Sequence, residues 1–154
     1  GVLLINTLAW AQESVSAKAM SMLADKAIVS RLTYMDQDIL NLILLGKVKF
    51  IDAKYNTQFS LNYELKKSFV CPINDETVLI HYVGPTKPWH YWAGYPSAQP
   101  FIKAKEASPW KNEPLMRPVN SNYARYCAKH NFKQNKPING IMNYIYYFYL
   151  KIIK

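Results

Sequence analysis

The feature that most constrains this chain is residues 78–92, an apolar run that stops at a histidine and continues into a turn. Residues 77–80, three of which are β-branched, predict a buried strand that delivers His81 to its end. Gly84 and the proline after it predict a turn, and Lys87 lies inside that turn. An imidazole can ligate a metal, a glycine lets a phosphate approach the main chain, and an ammonium binds phosphate oxygens. The stretch therefore favours a phosphate and metal site, although a lone histidine is more often a hydrogen-bonded core residue.

The remaining pattern predicts strands and helices that alternate early, with helices dominating late. We expect further strands at residues 2–5 and 48–51, a long helix over 10–31, and a second helix that begins near Thr33 and stops at Gly46. Loops are expected at 52–62 and, as an extended Pro- and Trp-rich connection, at 90–118, with a short helix at 63–70. Helices at 121–133, capped by Asn120 or Ser121, and at 138–154, begun by Pro137, end the chain. This order predicts an α/β core with a helical C-terminal appendage.

A second candidate constellation is Asp36-Gln37-Asp38, at the start of the second predicted helix. Thr33 and Asp36 have the spacing of a capping box, and negative charge is favourable in the first turn of a helix. Helix capping is therefore the simpler interpretation. The functional alternative places one of these side chains in a cleft beside His81 and Lys87. An Asp-x-Asp metal motif is disfavoured, because such motifs usually close an apolar strand.

Two further histidines and the tryptophans have structural interpretations. His90 lies in an aromatic cluster of the sequence, and His130 is expected on a basic helix face. Core or loop packing is the simplest role for Trp89, Trp92 and Trp110, with a sugar platform as the alternative for one of them.

The C-terminal third is strongly basic and ends in an aromatic helix. Residues 1–102 carry nine Lys/Arg and eight Asp/Glu, a net charge of +1, whereas residues 103–154 carry ten and two, a net of +8. The last predicted helix is shorter than the roughly 20 apolar residues that span a bilayer. Its tyrosines and flanking lysines favour a helix that lies on a membrane surface, or equally one packed on the domain. A basic module that binds nucleic acid without catalysis is the rival class.

Three of these stretches together resemble one family. Gly1-Val-Leu-Leu-Ile-Asn6, Tyr34-Met-Asp-Gln-Asp-Ile-Leu-Asn41 and His81-Tyr-Val-Gly-Pro-Thr-Lys-Pro-Trp89 are similar to the second half of the glycosyltransferase family 8 domain. The closest likeness is to bacterial lipopolysaccharide core hexosyltransferases. The resemblance implies that residues 1–107 are the C-terminal portion of a nucleotide-sugar-binding, GT-A-like mixed sheet. It also implies that residues 108–154 are the family's basic, aromatic C-terminal extension.

The resemblance further implies transfer of a hexose from UDP-galactose or UDP-glucose to a lipopolysaccharide core acceptor, with retention of configuration. His81 would ligate a divalent metal, Mn²⁺ or alternatively Mg²⁺, while Gly84 and Lys87 would hold the diphosphate. Asp36 and Gln37 would line the transfer site. The tail would hold the enzyme on the inner face of the bacterial inner membrane. Since the family's first half, with its Asp-x-Asp motif, has no counterpart among these 154 residues, we expect the isolated chain to be inactive.

Overall fold

The computed structural model describes residues 2–153. Its internal contacts divide the chain into two compact units, one that ends at Asp52 and one that begins at Ala53. Each unit has its own secondary structure and is described by itself.

The first unit is helical. It contains α1 (Thr7–Gln12), α2 (Val15–Ala24), α3 (Lys26–Val29) and α4 (Met35–Ile43). The single helix predicted over residues 10–31 is wrong, because two residues interrupt it. Ser14 adopts a left-handed conformation with φ 52°, and Asp25 is extended, with its carboxylate accepting the Ala27 N–H at 2.8 Å. Serine and aspartate bond their own local backbone and compete with the helical ladder in this way.

The two short strands predicted in this unit, at residues 2–5 and 48–51, are also wrong. Neither segment pairs with a strand in the part of the chain that the structure describes, and both are exposed: Leu4 is 90% exposed and Phe50 92%. Without a neighbouring strand, an apolar run has no ladder to join. The second helix is confirmed as α4, and Gly46, with φ 75°, follows its end as predicted. Gly1, the first residue of the predicted family stretch, lies outside the described residues.

The second unit carries a small parallel sheet of two strands, β1 (Thr57–Phe59) and β2 (Ile80–Tyr82). Thr57 pairs with Ile80, and Phe59 pairs with Tyr82. β1 lies inside the segment predicted as a loop, and β2 begins three residues later than predicted. Side-chain apolarity did not decide the strand position, since Val78 is 62% exposed and precedes the paired region. Together with the helices, this gives a mixed helix-and-sheet architecture.

Two connecting segments also differ from the prediction. The helix expected at residues 63–70 is reduced to a 3-10 turn at Leu61–Leu65. The connection expected to be extended over 90–118 contains a regular helix, α5 (Gln99–Glu106), which follows a 3-10 turn at Pro96–Ala98. Pro96 and Pro100 begin these elements, where a proline costs no hydrogen bond. Two of the prolines that suggested an irregular chain are therefore helix starters, whereas residues 107–119 contain no regular helix.

The core of the second unit lies between the sheet and the segment that follows the turn after β2. Its buried members are Phe59, Leu61, Ala93, Tyr95 and Ala98. Tyr82 of β2 packs against this cluster, and its hydroxyl donates to the Ser97 carbonyl at 2.6 Å. This packing and this hydrogen bond hold β2, the strand that carries His81, against the core.

The chain closes in a helical hairpin of α6 (Ser121–Lys133) and α7 (Pro137–Ile152), as predicted. The Asn120 side chain accepts the Tyr123 N–H at 2.8 Å and caps α6, which confirms the predicted cap. Asn135, with φ 57°, makes the reversal between the two helices. Lys154, the predicted end of the last helix, lies outside the described residues. Among the described residues, none of the helices has the length and apolarity needed to cross a bilayer.

Candidate functional site

His81 lies on β2, one residue before the strand ends, and its ring is half-buried. Its Nδ1 lies 3.0 Å from the Asn56 Oδ1, in the turn that precedes β1. Because an amide oxygen only accepts hydrogen bonds, Nδ1 carries the proton and Nε2 keeps its lone pair. Burial lowers the pKa of the His81 imidazole from its ordinary value. The ring is therefore neutral at physiological pH, the form that can ligate a metal.

Gly84 occupies a position that other residues fit poorly. Its φ of 81° lies in the left-handed region, and a Cβ placed there would lie 2.7 Å from the Ser60 Oγ. Ser60 follows β1 and is buried. The glycine is thus required by the turn itself, through its backbone conformation and its close contact with the neighbouring strand. Its exposed backbone is also open to an approaching ligand.

Lys87 makes two hydrogen bonds, one to the end of β2 and one to His90. Its Nζ donates to the Tyr82 carbonyl at 2.6 Å, and its backbone N–H donates to the His90 Nδ1 at 3.1 Å. An ammonium has three donors, so the bond to Tyr82 leaves two for another acceptor. His81, Gly84 and Lys87 thus lie on one strand end and its turn, as the sequence predicted.

His130 is a buried, hydrogen-bonded residue, which is the structural role expected for it, but it does not lie on the basic face of α6 as predicted. The ring is fully buried between α6 and the turn after β2. Its Nε2 lies 3.1 Å from the Thr86 Oγ1 and 3.1 Å from the Asn62 Oδ1, and its Nδ1 lies 2.7 Å from the Tyr95 hydroxyl. Burial lowers the pKa of His130 to about 4. The only signal in the sequence was the row of small residues on the same helix, Ala124, Cys127 and Ala128, which indicates close packing.

His90 lies in an aromatic cluster, as predicted. Its ring stacks on Trp92 with centroids 4.2 Å apart, and Tyr123 of α6 lies 4.9 Å away. Its Nδ1 accepts the Lys87 N–H, so the proton is on Nε2, which has no hydrogen-bond partner among the described residues. Burial lowers the pKa of His90 to about 4. This histidine is a packed residue that also fixes the backbone of the turn.

Asp36 and Gln37 lie in the first turn of α4, in the first unit, and both are exposed. The capping carboxylate is that of Asp38, which accepts the Thr33 and Tyr34 N–H groups at 2.8 Å each. The capping box predicted for Asp36 is therefore wrong, because the helix starts one residue later than that spacing requires. The roles assigned to Asp36 and Gln37 in the transfer site remain predictions.

The donor set for a metal is incomplete in the described residues. They contain no group of three or more histidine, cysteine, aspartate or glutamate side chains that could hold an ion. His81 offers one nitrogen ligand, while a typical divalent metal site needs several. The residues therefore fit one position of a metal site and do not complete it.

Comparison with known proteins covers almost the whole chain. The family model of Glycosyl transferase family 8 matches residues 1–93, and that of Glycosyl transferase family 8 C-terminal matches residues 95–151. Over 99% of its length the chain is 54% identical to the lipopolysaccharide glucosyltransferase WaaO of Escherichia coli K12. It is 51% identical over its full length to the lipopolysaccharide 1,3-galactosyltransferase of Salmonella typhimurium. A lipopolysaccharide 1,2-glucosyltransferase of Escherichia coli is 37% identical over 98% of the chain.

These alignments cover 45%, 46% and 46% of the three relatives, so the chain spans less than half their length. No solved structure is significantly similar to the chain.

Proposed function

The chain belongs to glycosyltransferase family 8, and from this premise we propose that its protein transfers a hexose from a nucleotide sugar to a lipopolysaccharide core acceptor. The observation that carries the proposal is the match of the whole chain to the family and to enzymes named for lipopolysaccharide glucosyl and galactosyl transfer. Because the chain spans less than half of those relatives, the activity is proposed for the protein that carries it. The GT-A-like nucleotide-sugar fold is part of the same proposal, and the parallel pair β1–β2 is compatible with it.

The proposed donor is UDP-galactose or UDP-glucose, with its diphosphate at the turn after β2. Gly84 exposes its backbone there, and Lys87 has two ammonium donors left for phosphate oxygens. Cleavage of the sugar–phosphate bond leaves negative charge on UDP, and a lysine at that position stabilises the charge as it develops. The positive charge of Lys87 is thus proposed to contribute to catalysis as well as to donor binding.

A divalent metal, Mn²⁺ or Mg²⁺, is proposed to bind together with this diphosphate, with His81 as one of its ligands. The Asn56 side-chain oxygen Oδ1 orients the ring and leaves Nε2 for the ion, an arrangement typical of metal-bound histidines. When bound, such an ion neutralises charge on the leaving diphosphate. The described residues contain no group of three or more such ligands, and the oxygens of a bound diphosphate would add further ligands.

Transfer is proposed to occur with retention, on the face of the sugar that the leaving group occupies. Asp36 and Gln37 are proposed to line the transfer site, with Gln37 near the reacting carbon. An amide is a poor nucleophile, so a front-face mechanism assisted by the leaving phosphate is favoured over a covalent intermediate. A glycosyl–enzyme adduct trapped with a fluorinated donor and detected by mass spectrometry would overturn this mechanism.

The protein is proposed to act at the inner face of the inner membrane, through α7. The exposed apolar side chains of this helix recur on one face, at Ile138, Ile141, Ile145, Phe148, Tyr149 and Ile152. Lys136 precedes the first residue of α7 and Lys151 lies in its last turn, which adds positive charge at both ends of the helix. An amphipathic aromatic helix bordered by lysines suits an anionic headgroup layer.

The deciding experiment is transfer by the protein that carries this chain. It is incubated with UDP-galactose or UDP-glucose, Mn²⁺ and a lipopolysaccharide core acceptor, and the product linkage is determined by NMR. We expect one hexose to be transferred with its anomeric configuration retained. Inversion would refute the proposed mechanism, and the absence of transfer from either donor would refute the proposed function.

A further inference from the structure

Two buried histidines contact adjacent residues of the turn that carries Gly84 and Lys87. His130 bonds the Thr86 side chain, and His90 bonds the Lys87 backbone. We propose that His90 and His130 are positioning residues, which hold residues 84–87 in the shape that receives the diphosphate of the donor. The inference rests on the proposed function, because it states what shapes that same site.

The His130 hydrogen bonds fix the ring in one tautomer. The Asn62 Oδ1, 3.1 Å from Nε2, can only accept, so Nε2 carries the proton and the Tyr95 hydroxyl donates to Nδ1. The Thr86 Oγ1 lies 3.1 Å from the same Nε2–H. Both ring nitrogens are therefore satisfied, and the ring holds a threonine hydroxyl that is itself fully buried.

His90 fixes the next residue through the main chain. Its Nδ1 accepts the Lys87 N–H at 3.1 Å, while the ring is held between Trp92 and Tyr123. A backbone bond at Lys87 sets the direction in which its side chain leaves the chain. The bond from Lys87 Nζ to the Tyr82 carbonyl then keeps the ammonium at the end of β2.

The two contacts come from different parts of the chain. His130 belongs to α6, within residues 95–151, which match the C-terminal family model, whereas the turn lies within residues 1–93. The buried hydrogen bond between them makes the C-terminal region part of the support of the turn. Burial lowers the pKa of both histidines to about 4, so both stay neutral, as these bonds require, at physiological pH.

The test compares variants that differ in one hydrogen bond. His90→Asn places an amide oxygen near the position of Nδ1 and can still accept the Lys87 N–H, whereas His90→Leu cannot. Both lose the stacking on Trp92 and share that cost in stability. Thr86→Ser and Thr86→Val form a second pair, with and without the hydroxyl. Cys127→Ala, on α6 but bonded to Tyr91 rather than to the turn, is the control for general destabilisation.

Three quantities are measured for each variant of the full protein that carries this chain: the thermal midpoint, the hydrogen exchange rate of the Lys87 amide, and the Kd for UDP with Mn²⁺. We expect His90→Leu to bind UDP about fivefold more weakly than His90→Asn, the factor that corresponds to one neutral hydrogen bond. The same factor is expected between Thr86→Val and Thr86→Ser. The Lys87 amide should exchange faster in His90→Leu than in His90→Asn.

The outcomes separate this inference from the function on which it rests. Equal UDP affinity within each pair, with the fold retained, would overturn the inference and leave the proposed function intact. A loss of affinity in Cys127→Ala that matches its loss of stability would also overturn it, since the turn would then respond to stability alone. Failure of the unaltered protein to bind UDP would refute the donor site itself, while the Lys87 exchange rates would still report whether His90 holds the turn.

Discussion

Lys87 illustrates how one side chain serves both the fold and the proposed chemistry. Its ammonium holds the Tyr82 carbonyl at the end of β2 and keeps two donors for phosphate oxygens. Lysine differs here from arginine, whose planar fork needs more room and a different geometry. The position thus combines a local structural bond with a charge that a diphosphate requires.

Replacing Lys87 by methionine should weaken donor binding, with a modest loss of stability from the missing bond to the Tyr82 carbonyl. The variant keeps the aliphatic stem and loses one charge-assisted interaction, so we expect the Kd for UDP to rise roughly tenfold to a hundredfold. Calorimetric titration with UDP in the presence of Mn²⁺ measures this. Lys103→Met, at an exposed lysine of α5, is the matched control and should bind UDP normally. Unchanged affinity in Lys87→Met would contradict the assigned role.

Gly84→Ala should destabilise the second unit, because its φ of 81° is unfavourable for alanine and the new Cβ would lie 2.7 Å from the Ser60 Oγ. The left-handed conformation alone costs about 1–2 kcal/mol. Adding Ser60→Ala removes the oxygen and should restore only the part due to the clash. Urea unfolding of the single and double variants separates the two costs. Equal stability of Gly84→Ala and the unaltered protein would show that the turn does not require a glycine at this position.

The buried histidines also predict a pH dependence of stability. The pKa of His90 and that of His130 are about 4 when folded, below the ordinary value of about 6.5 expected when unfolded. The unfolded chain therefore binds more protons between these values, and stability falls as the pH drops from about 6.5 to about 4. The slope of the free energy of unfolding against pH should approach about 1.4 kcal/mol per pH unit for each histidine. Neither histidine contributes to the pH dependence above about pH 7.

Urea unfolding at several pH values measures this slope. In His130→Gln, which cannot titrate, the slope between pH 4 and 6.5 should be smaller by about one proton. An unchanged slope would show that His130 is not buried as a neutral ring.

At the level of elements, the sequence predicted helices near the C-terminus well and strands poorly. The Asn120 cap, the Pro137 start and the length of α6 and α7 are local signals, and each is confirmed. The strand predictions at residues 2–5 and 48–51 were wrong because an apolar run does not specify which strand it would pair with. A strand forms only where such a pairing partner is present. Ser14 and Asp25 broke a helix that the apolar period had predicted to be continuous.

The same distinction explains how much of the candidate site was foreseen. His81, Gly84 and Lys87 are close in sequence, so a short motif sufficed to place them together. The support from His130 joins residues 44 positions apart. No local pattern reports such a contact, and the lysines on the same helix placed His130 on its basic face instead.

The exposed apolar face of α7 allows the proposed membrane contact to be tested. Ile145 and Phe148 are 58% and 59% exposed on its apolar face. Changing both to serine should weaken binding to vesicles that contain phosphatidylglycerol by at least tenfold, since each side chain loses apolar area buried in the headgroup layer. Sedimentation with vesicles measures the change, and Val119→Ser, at an exposed residue outside the helix, is the control. Equal binding of the double variant would exclude α7 as the contact.

At the scale of the whole molecule, charge and ligand chemistry separate the proposed function from its rival. A net charge of +8 in residues 103–154 would attract any polyanion, including single-stranded nucleic acid. Such binding weakens steeply with salt, whereas a shaped diphosphate site depends less on ionic strength and more on the metal. Titrations with UDP plus Mn²⁺ and with a single-stranded oligonucleotide, each at two salt concentrations, therefore separate the two classes. UDP binding that depends on Mn²⁺ and changes little with salt favours the glycosyltransferase. Oligonucleotide binding that weakens steeply with salt, without UDP binding, favours the nucleic-acid binder.

The metal requirement gives the last prediction. The described residues offer His81 as a ligand but no group of three acidic, histidine or cysteine side chains. A single imidazole holds Mn²⁺ weakly, and a diphosphate adds oxygens that this hard cation favours. The 154-residue chain should therefore bind Mn²⁺ much more tightly when UDP is present, which electron paramagnetic resonance of the free ion measures directly. His81→Ala should remove most of that gain, while His81→Asn, which keeps one ligating atom, should retain part of it. Tight stoichiometric binding of Mn²⁺ without nucleotide would show that another set of residues holds the metal, and His81 would then lose its assigned role.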